Sequence, residues 1–370
     1  MRCAVLPPVP VPYREPLFGL LARRGRIGLR VIYLAGAQTG WDQPAGWFPE
    51  QHGYESAVLR SRQRDRPGRA PITLPSGLGS ALSAHDPDCV VSWEYGPATL
   101  RALAWCRRRS RPLVTFSELT PATDAVLSRP QLALQRLLVP RLDGFLVASS
   151  AGRERLLAMG VPSERIEVSL QSADLDRARA AGARERRDGR VRVLCVGRLV
   201  PDKNQALLVR AFARAGVADA AELELCGTGP LEGEVRREAE RLGAPVRFRG
   251  FVPAERLPEL YAGADVLALV STHEPFGVAV REAAASGLPI VCSRTAGAAG
   301  DVAVAGENAL LVDPRDEADV ASALRRVVED AGLRARLAAG SRAVTERHPL
   351  AADAEAFERA VLRAAGRPAG

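Results

Sequence analysis

Lysine is nearly absent from this chain of 370 residues: Lys203 stands alone, and the other fifty of its fifty-one lysine-plus-arginine side chains are arginine. Aromatic residues make up only 5% of the sequence. The six cysteines (Cys3, Cys89, Cys106, Cys195, Cys226, Cys292) form no CxxC pair. That argues against a zinc site or a disulfide framework and for buried free thiols in a reducing compartment. No apolar run reaches the roughly 18 residues that a membrane span needs. The opening MRCAVLPPVPVPYREPLF is broken by prolines and lacks the hydrophobic core of a cleaved secretion signal. The expectation is a cytoplasmic globular protein. Its net charge is +8, but no aromatics interleave with the arginines and no groove-reading motif accompanies them, so nucleic acid is not an expected partner. The densest basic run, Arg107-Arg108-Arg109-Ser110-Arg111, reads as a solvated helix end, or as a patch for an anionic acceptor or for peripheral contact with an anionic membrane surface.

The length exceeds one ordinary core and suggests two domains. Strand-like runs fall at 2–6, 29–34, 89–93, 112–116, 144–149 and 166–170, and again at 191–197, 222–227, 246–252, 265–271, 289–293 and 308–313. Amphipathic stretches lie between them, with helix starts in the second half near Asn204, Leu231, Pro253, Gly277 and Asp316. Strand and helix in alternation predict right-handed βαβ units and parallel sheets. The fold expected is α/β: two doubly wound, Rossmann-like domains whose parallel sheets face each other across a cleft. Residues 1–175 form the first domain, the charged stretch 176–190 a linker or a solvated helix, and 191–348 the second domain; 349–370 is a helix expected to cross back to the first.

Two motifs carry chemistry. In GRLVPDK, Gly197 closes a strand, Arg198 follows, and Lys203 stands at the start of the next helix. Strand ends in such sheets point at the ligand crevice. Arginine grips phosphate oxygens with two prongs and lysine offers a compact charge, so two cations on one short loop suit a diphosphate. In THEPFGVAVREAAASGLP, the turn Glu274-Pro275-Phe276-Gly277 leads into a helix, which places backbone N–H groups at a helix start, a ready anion site. Glu274 precedes that helix and Glu282 lies within it; carboxylates so placed can accept hydrogen bonds from sugar or ribose hydroxyls. His273 borders the same turn. A lone lysine also suits a Schiff base with pyridoxal phosphate, but no partner for the pyridinium is evident.

Across most of the second half these segments resemble glycosyltransferase family 4, retaining enzymes of the GT-B fold. GRLVPDKNQALLVRAF is similar to the family's phosphate loop, ELELCGTGPLEGEV to its glycine turn, and EPFGVAVREAAASGLPIV to its paired-glutamate motif. The resemblance implies transfer of a sugar from a nucleoside diphosphate sugar (UDP- or GDP-linked) to a hydroxyl on a glycan, a lipid-linked glycan or a small molecule, with no bound metal or other cofactor. Under it, Arg198 and Lys203, beside Gly197, neutralise the diphosphate. Glu274 holds the transferred sugar, and the amides of Phe276, Gly277 and Val278 bind phosphate and sugar. Glu282 bonds the ribose, and the backbone near Gly250 and Val252 meets the base. The first half departs from the family. Its Gly-Gly turn is replaced by PPVPVPYREPLF, leaving Arg14 as an acceptor-side candidate, and the histidine expected after PLVTF is replaced by Ser117-Glu118. Glu118 and His273 are the other acceptor-side candidates, and Trp41, Trp47 and Trp93 are candidate platforms, although tryptophan in a core is commoner. Gly297 and Asp301 stand roughly where the family has Gly-Gly-x-x-Glu, and Gln171-Ser172-Ala173-Asp174 replaces its Asn-Gly-Val-Asp. A sugar-nucleotide epimerase, or a non-catalytic sugar-nucleotide binder on the same fold, is the alternative.

Overall fold

The computed structural model describes residues 1–39, 47–49, 51–66, 69–180 and 189–367. Trp41 and residues 181–188 of the expected linker lie outside them. Contacts divide the chain into two units, Met1–Ser172 with Leu350–Gly370, and Ala173–Pro349.

The first unit holds β1 (Arg2–Leu6), β2 (Gly28–Tyr33), β3 (Glu55–Val58), β4 (Ser61–Arg66), β5 (Arg69–Pro75), β6 (Cys89–Trp93), β7 (Leu113–Ser117), β8 (Gly144–Val147) and β9 (Ile166–Val168); β1, β6, β7 and β8 form where apolar residues run together between turn residues. Among the described residues seven of them join one sheet in the order β3-β2-β1-β6-β7-β8-β9. Each neighbouring pair in that sheet is parallel. The second unit contributes β10 (Val191–Val196), β11 (Ala221–Cys226), β12 (Val246–Gly250), β13 (Val266–Leu269), β14 (Ile290–Ser293) and β15 (Ala309–Val312). Its sheet runs β12-β11-β10-β13-β14-β15, again parallel. Strand order reverses between β1 and β6 in one sheet and between β10 and β13 in the other. Chain connections diverge at such a point and leave a crevice at the carboxyl ends of the strands.

Each sheet buries its own core. Val193, Leu208, Phe212, Leu223, Val235, Val291 and Leu324 pack together in the second unit, and Leu6, Val90, Leu113, Phe145 and Leu156 in the first. All six cysteines are buried and unbridged. Among the described residues no helix is long and apolar enough to cross a membrane.

Two sequence expectations change. The stretch 176–190 is not linker throughout: helix Leu175–Ala180 packs on helices Leu257–Ala262 and Val278–Ala285, with the Ala178 carbonyl accepting from Ser286 Oγ at 3.3 Å. Its buried Leu175 and Ala178 explain why a charged stretch folds. Trp93 is no open platform; it is 5% exposed and stacks on Phe116 with ring centroids 4.1 Å apart. The closing helix, Leu350–Ala364, belongs to the first unit. It packs on helix Glu15–Arg24 and on β8 and β9, and Asp353 Oδ1 accepts from the Leu170 N–H at 2.8 Å.

Candidate active site

The site of the second unit is assembled from the two strands that flank its reversal point. The loop Gly197–Lys203 leaves β10, and the loop Ser271–Gly277 follows β13. The loops bond directly: the N–H of Thr272 donates to the Asp202 carbonyl at 2.9 Å. Asn204, left-handed at φ 59°, donates through Nδ2 to the carbonyls of Val270 at 3.2 Å and Pro314 at 2.7 Å. Gln205 Nε2 donates to the Arg198 carbonyl at 2.8 Å. Behind the loop sits the glycine turn after β11. A Cβ on Gly227 would stand 2.1 Å from the Gly197 carbonyl oxygen, and one on Gly229 2.3 Å from that of Leu199, so only glycine lets the two turns lie this close.

These contacts bring Lys203 and Glu274 together. The Lys203 ammonium donates to Glu274 Oε2, which also accepts from Ser271 Oγ at 3.1 Å. Lys203 runs its stem over Gly197 and keeps 23% of its side chain exposed, whereas Glu274 is 7% exposed. Arg198 lies exposed on the same loop. Gly277 caps helix Val278–Ala285 at φ 100°, and among the described residues the N–H groups of Phe276, Gly277 and Val278 find no acceptor. The turn is braced by Gly297, whose N–H donates to the Glu274 carbonyl at 3.1 Å, and by the N–H of Ala298, which donates to Phe276 O at 2.8 Å. The two loops thus set an ion pair beside unused amide donors, an arrangement that receives an anion without first breaking a backbone bond. His273 is half-buried next to it, with its N–H 3.5 Å from the Asp202 carbonyl.

Glu282 lies apart from this pair. It accepts from the buried Tyr261 hydroxyl at 2.6 Å. Burial raises its carboxyl to about 7; the Tyr261 bond opposes the shift and the Asp174 carboxylate adds to it. Gly250, at φ 65°, ends β12 and accepts the Gly227 N–H at 2.8 Å. Val252 follows it and borders a cavity of about 450 Å³ with Phe251, Arg249, Arg192 and Glu224. Among the described residues no three His, Cys, Asp or Glu side chains gather as a set that could hold a metal ion.

In the first unit, Arg14 is 6% exposed, and its Nη2 donates to Glu118 Oε1 at 3.1 Å. The same oxygen accepts from Gln171 Nε2 at 2.8 Å and Trp93 Nε1 at 3.4 Å. Glu94, which no motif along the chain marks, lies beside them and accepts from the Glu118 N–H at 2.6 Å. The arginine run ends helix Pro97–Arg109 on the surface, with Arg111 drawn to Asp88 at 3.2 Å.

The family model for glycosyl transferases group 1 matches residues 176–344, and that for glycosyltransferase family 4 matches residues 21–177. The D-inositol 3-phosphate glycosyltransferase of Thermomonospora curvata is 34% identical over 307 residues, 72% of this chain and 70% of that protein. The sulfoquinovosyl transferase of Arabidopsis thaliana is 27% identical over 328 residues, 81% of this chain and 62% of that protein. The chain spans about three fifths of the length of several curated relatives it matches, the Arabidopsis enzyme among them. The crystal structure of Anabaena Alr3699/HepE in complex with UDP superposes with a TM-score of 0.76 at 21% identity, covering 96% of this chain and 98% of that one. That likeness gives the fold, GT-B. The two family models and the Thermomonospora relative show that this chain belongs to glycosyltransferase family 4.

Proposed function

We propose that the protein is a retaining glycosyltransferase that moves a sugar from a nucleoside diphosphate sugar to a hydroxyl acceptor. The observation that carries this reading is the Lys203–Glu274 pair set beside three unused amides at a helix start. A diphosphate draws the Lys203 ammonium and the exposed Arg198 onto its oxygens, while the amides of Phe276, Gly277 and Val278 take phosphate and sugar oxygens. Glu274, released from Lys203, accepts sugar hydroxyls and faces the positive charge that grows at the anomeric carbon. The bond from that carbon to phosphate breaks as the acceptor oxygen arrives from the same side, and the departing phosphate oxygen takes the acceptor's proton. Lys203 and Arg198 stabilise the charge left on the diphosphate, the part of the reaction where preorganised cations act most. Gly250 and Val252 meet the base, and Glu282 bonds the ribose. Arg107, Arg108 and Arg109 are the candidates for contact with an anionic membrane surface from the cytoplasmic side.

The test is a thermal-shift panel of UDP- and GDP-sugars. A ligand at 100 times its dissociation constant adds about 2.7 kcal/mol to stability. UDP-sugars come first, because the Anabaena structure was solved with UDP. At least one sugar nucleotide raises Tm in the wild type and none does so in Lys203→Ala; a folded wild type that answers to no member of the panel ends the proposal.

The Glu282 carboxyl, raised to about 7 from the ordinary 4.5, makes donor binding pH-dependent. Its ionised form accepts hydrogen bonds from hydroxyls. Donor affinity therefore rises as pH climbs from 6 to 8, by about tenfold in all, and levels off above. In Glu282→Gln the slope disappears, which calorimetric titration across that range reads directly. The same shift weakens folding as pH rises from 4.5 to 7, because the folded chain holds a proton that the unfolded chain has released.

A further inference from the structure

Glu94 has a backbone conformation that its residue type rarely adopts. It follows β6 at φ 55°, in the left-handed region. Its N–H donates to the Phe116 carbonyl at 2.8 Å, and its own carbonyl accepts from Thr99 Oγ1 at 2.6 Å. The carboxylate reaches across to the end of β7, where it accepts from the Glu118 N–H at 2.6 Å and from Ser117 Oγ at 2.8 Å. A strained residue that fastens the next strand end through its side chain is the pattern of a positioned site.

What it fastens is Glu118. Arg14, Gln171 and Trp93 all donate to Oε1 of that residue. Oε2 takes no donor among the described residues, and it is not one of the buried, unpartnered atoms. One oxygen is therefore locked and the other is left open. Arg14, stacked 4.3 Å over Trp93, is neutralised by Glu118.

We propose that Glu94 is a positioning residue for the acceptor: it holds Glu118 so that Oε2 accepts the hydrogen of a neutral hydroxyl, on a polyol or sugar ring, and turns away a phosphate. This rests on the transferase reading above. Glu94 and Glu118 face this spot with two carboxylates, and the guanidiniums nearby, Arg14 and Arg155, are each already engaged by a carboxylate, so an anion is repelled. Around Glu94 stand Glu118 from the end of β7, Arg155 of helix Ser150–Ala158 and the Tyr95 hydroxyl, with Asp124 beyond Arg155, while Arg14 lies on the Glu118 side. Arg155 is itself paired with Asp124 at 2.7 Å. Burial first, then the Glu118 carboxylate, raise the Glu94 carboxyl to about 7, against the pull of its two hydrogen bonds and Arg155. Ionisation of Glu94 gives the Glu118 N–H and Ser117 Oγ a full carboxylate to bond, which fixes Glu118 more firmly toward a hydroxyl, so the acceptor KM falls as pH rises through 7.

The experiment uses the full chain with UDP-glucose, or with whichever sugar nucleotide the panel selects. Acceptors are glycerol, myo-inositol and methyl glucoside, each beside its monophosphate, at pH 5.5 to 8.5, with products read by mass spectrometry. Glu94→Gln keeps the fold: its amide oxygen accepts from the Glu118 N–H, and its NH2 donates to the Ser117 hydroxyl. Transfer goes to neutral members. The variant raises acceptor KM roughly ten- to hundredfold and flattens its pH dependence, while Tm and donor affinity stay as in the wild type. Transfer to the phosphates alone, a variant with wild-type KM and pH profile, or donor hydrolysis without transfer to any neutral polyol overturns the proposal. A chain that neither binds nor hydrolyses the donor sinks the transferase reading beneath it, a distinguishable result.

Discussion

Lys203→Ala loses turnover by about a hundred- to thousandfold while the chain stays folded. The ammonium of the Gly197–Lys203 loop reaches the turn after β13, where it meets Glu274 Oε2. Without it, the diphosphate leaves against a carboxylate and an exposed Arg198 alone. The variant also strands Glu274, 7% exposed, with Ser271 Oγ as its remaining side-chain partner. Lys203 itself is partly solvated, so the stability lost is roughly 1–3 kcal/mol. The two effects separate in a double variant. Lys203→Met with Glu274→Gln removes both charges and regains most of the melting temperature, yet stays inactive. Lys203→Arg also falls short, because its broader fork must share the space over Gly197 that the lysine stem fills. Steady-state rates beside thermal unfolding check all of these, and near-wild-type turnover in Lys203→Ala would remove the catalytic assignment.

Much of this site is legible along the chain because its parts are written in local chemistry. Gly197 and Gly277 mark strand and turn ends, and the lone Lys203 stands out in a chain that otherwise uses arginine. Strands β6 and β10 fall where their apolar runs lie, since central parallel strands are buried on both faces. Edge elements hide from that reading. Val58 of β3 is 53% exposed, and the β4–β5 hairpin carries Arg62 and Arg64 on its surface, so cross-strand pairing rather than apolar burial forms it. Strand order hides as well. Nothing local says that β13 lies beside β10, so the meeting of Lys203 with Glu274, 71 residues on, is a property of topology. Glu94 is hidden for another reason: residue type points to glycine or asparagine at a left-handed position, and only tertiary bonds from Ser117 and Glu118 hold a glutamate there.

Gly297→Ala disables donor binding from a position that carries no charge. A Cβ there would stand 1.9 Å from the Pro275 carbonyl oxygen and 2.9 Å from Phe276 Cα, both backbone atoms. No flexible side chain can yield, so the turn itself must move. Overpacking of this kind costs roughly 1–3 kcal/mol in stability. The functional loss is larger, because the Gly297 and Ala298 N–H groups hold the carbonyls of Glu274 and Phe276. Displacing them swings Glu274 off Lys203 and re-aims the amides of Phe276, Gly277 and Val278. A misplacement of about 1 Å in such a site costs on the order of a hundredfold in rate. Gly233→Ala supplies the control. That glycine lies in helix Glu232–Leu242, and the nearest atom to an added Cβ is the far end of Arg237 at 3.5 Å. There alanine is neutral or adds up to about 1 kcal/mol. Paired melting curves and donor titrations of the two variants decide the matter: if Gly297→Ala binds the donor as tightly as Gly233→Ala, the turn does not hold the diphosphate.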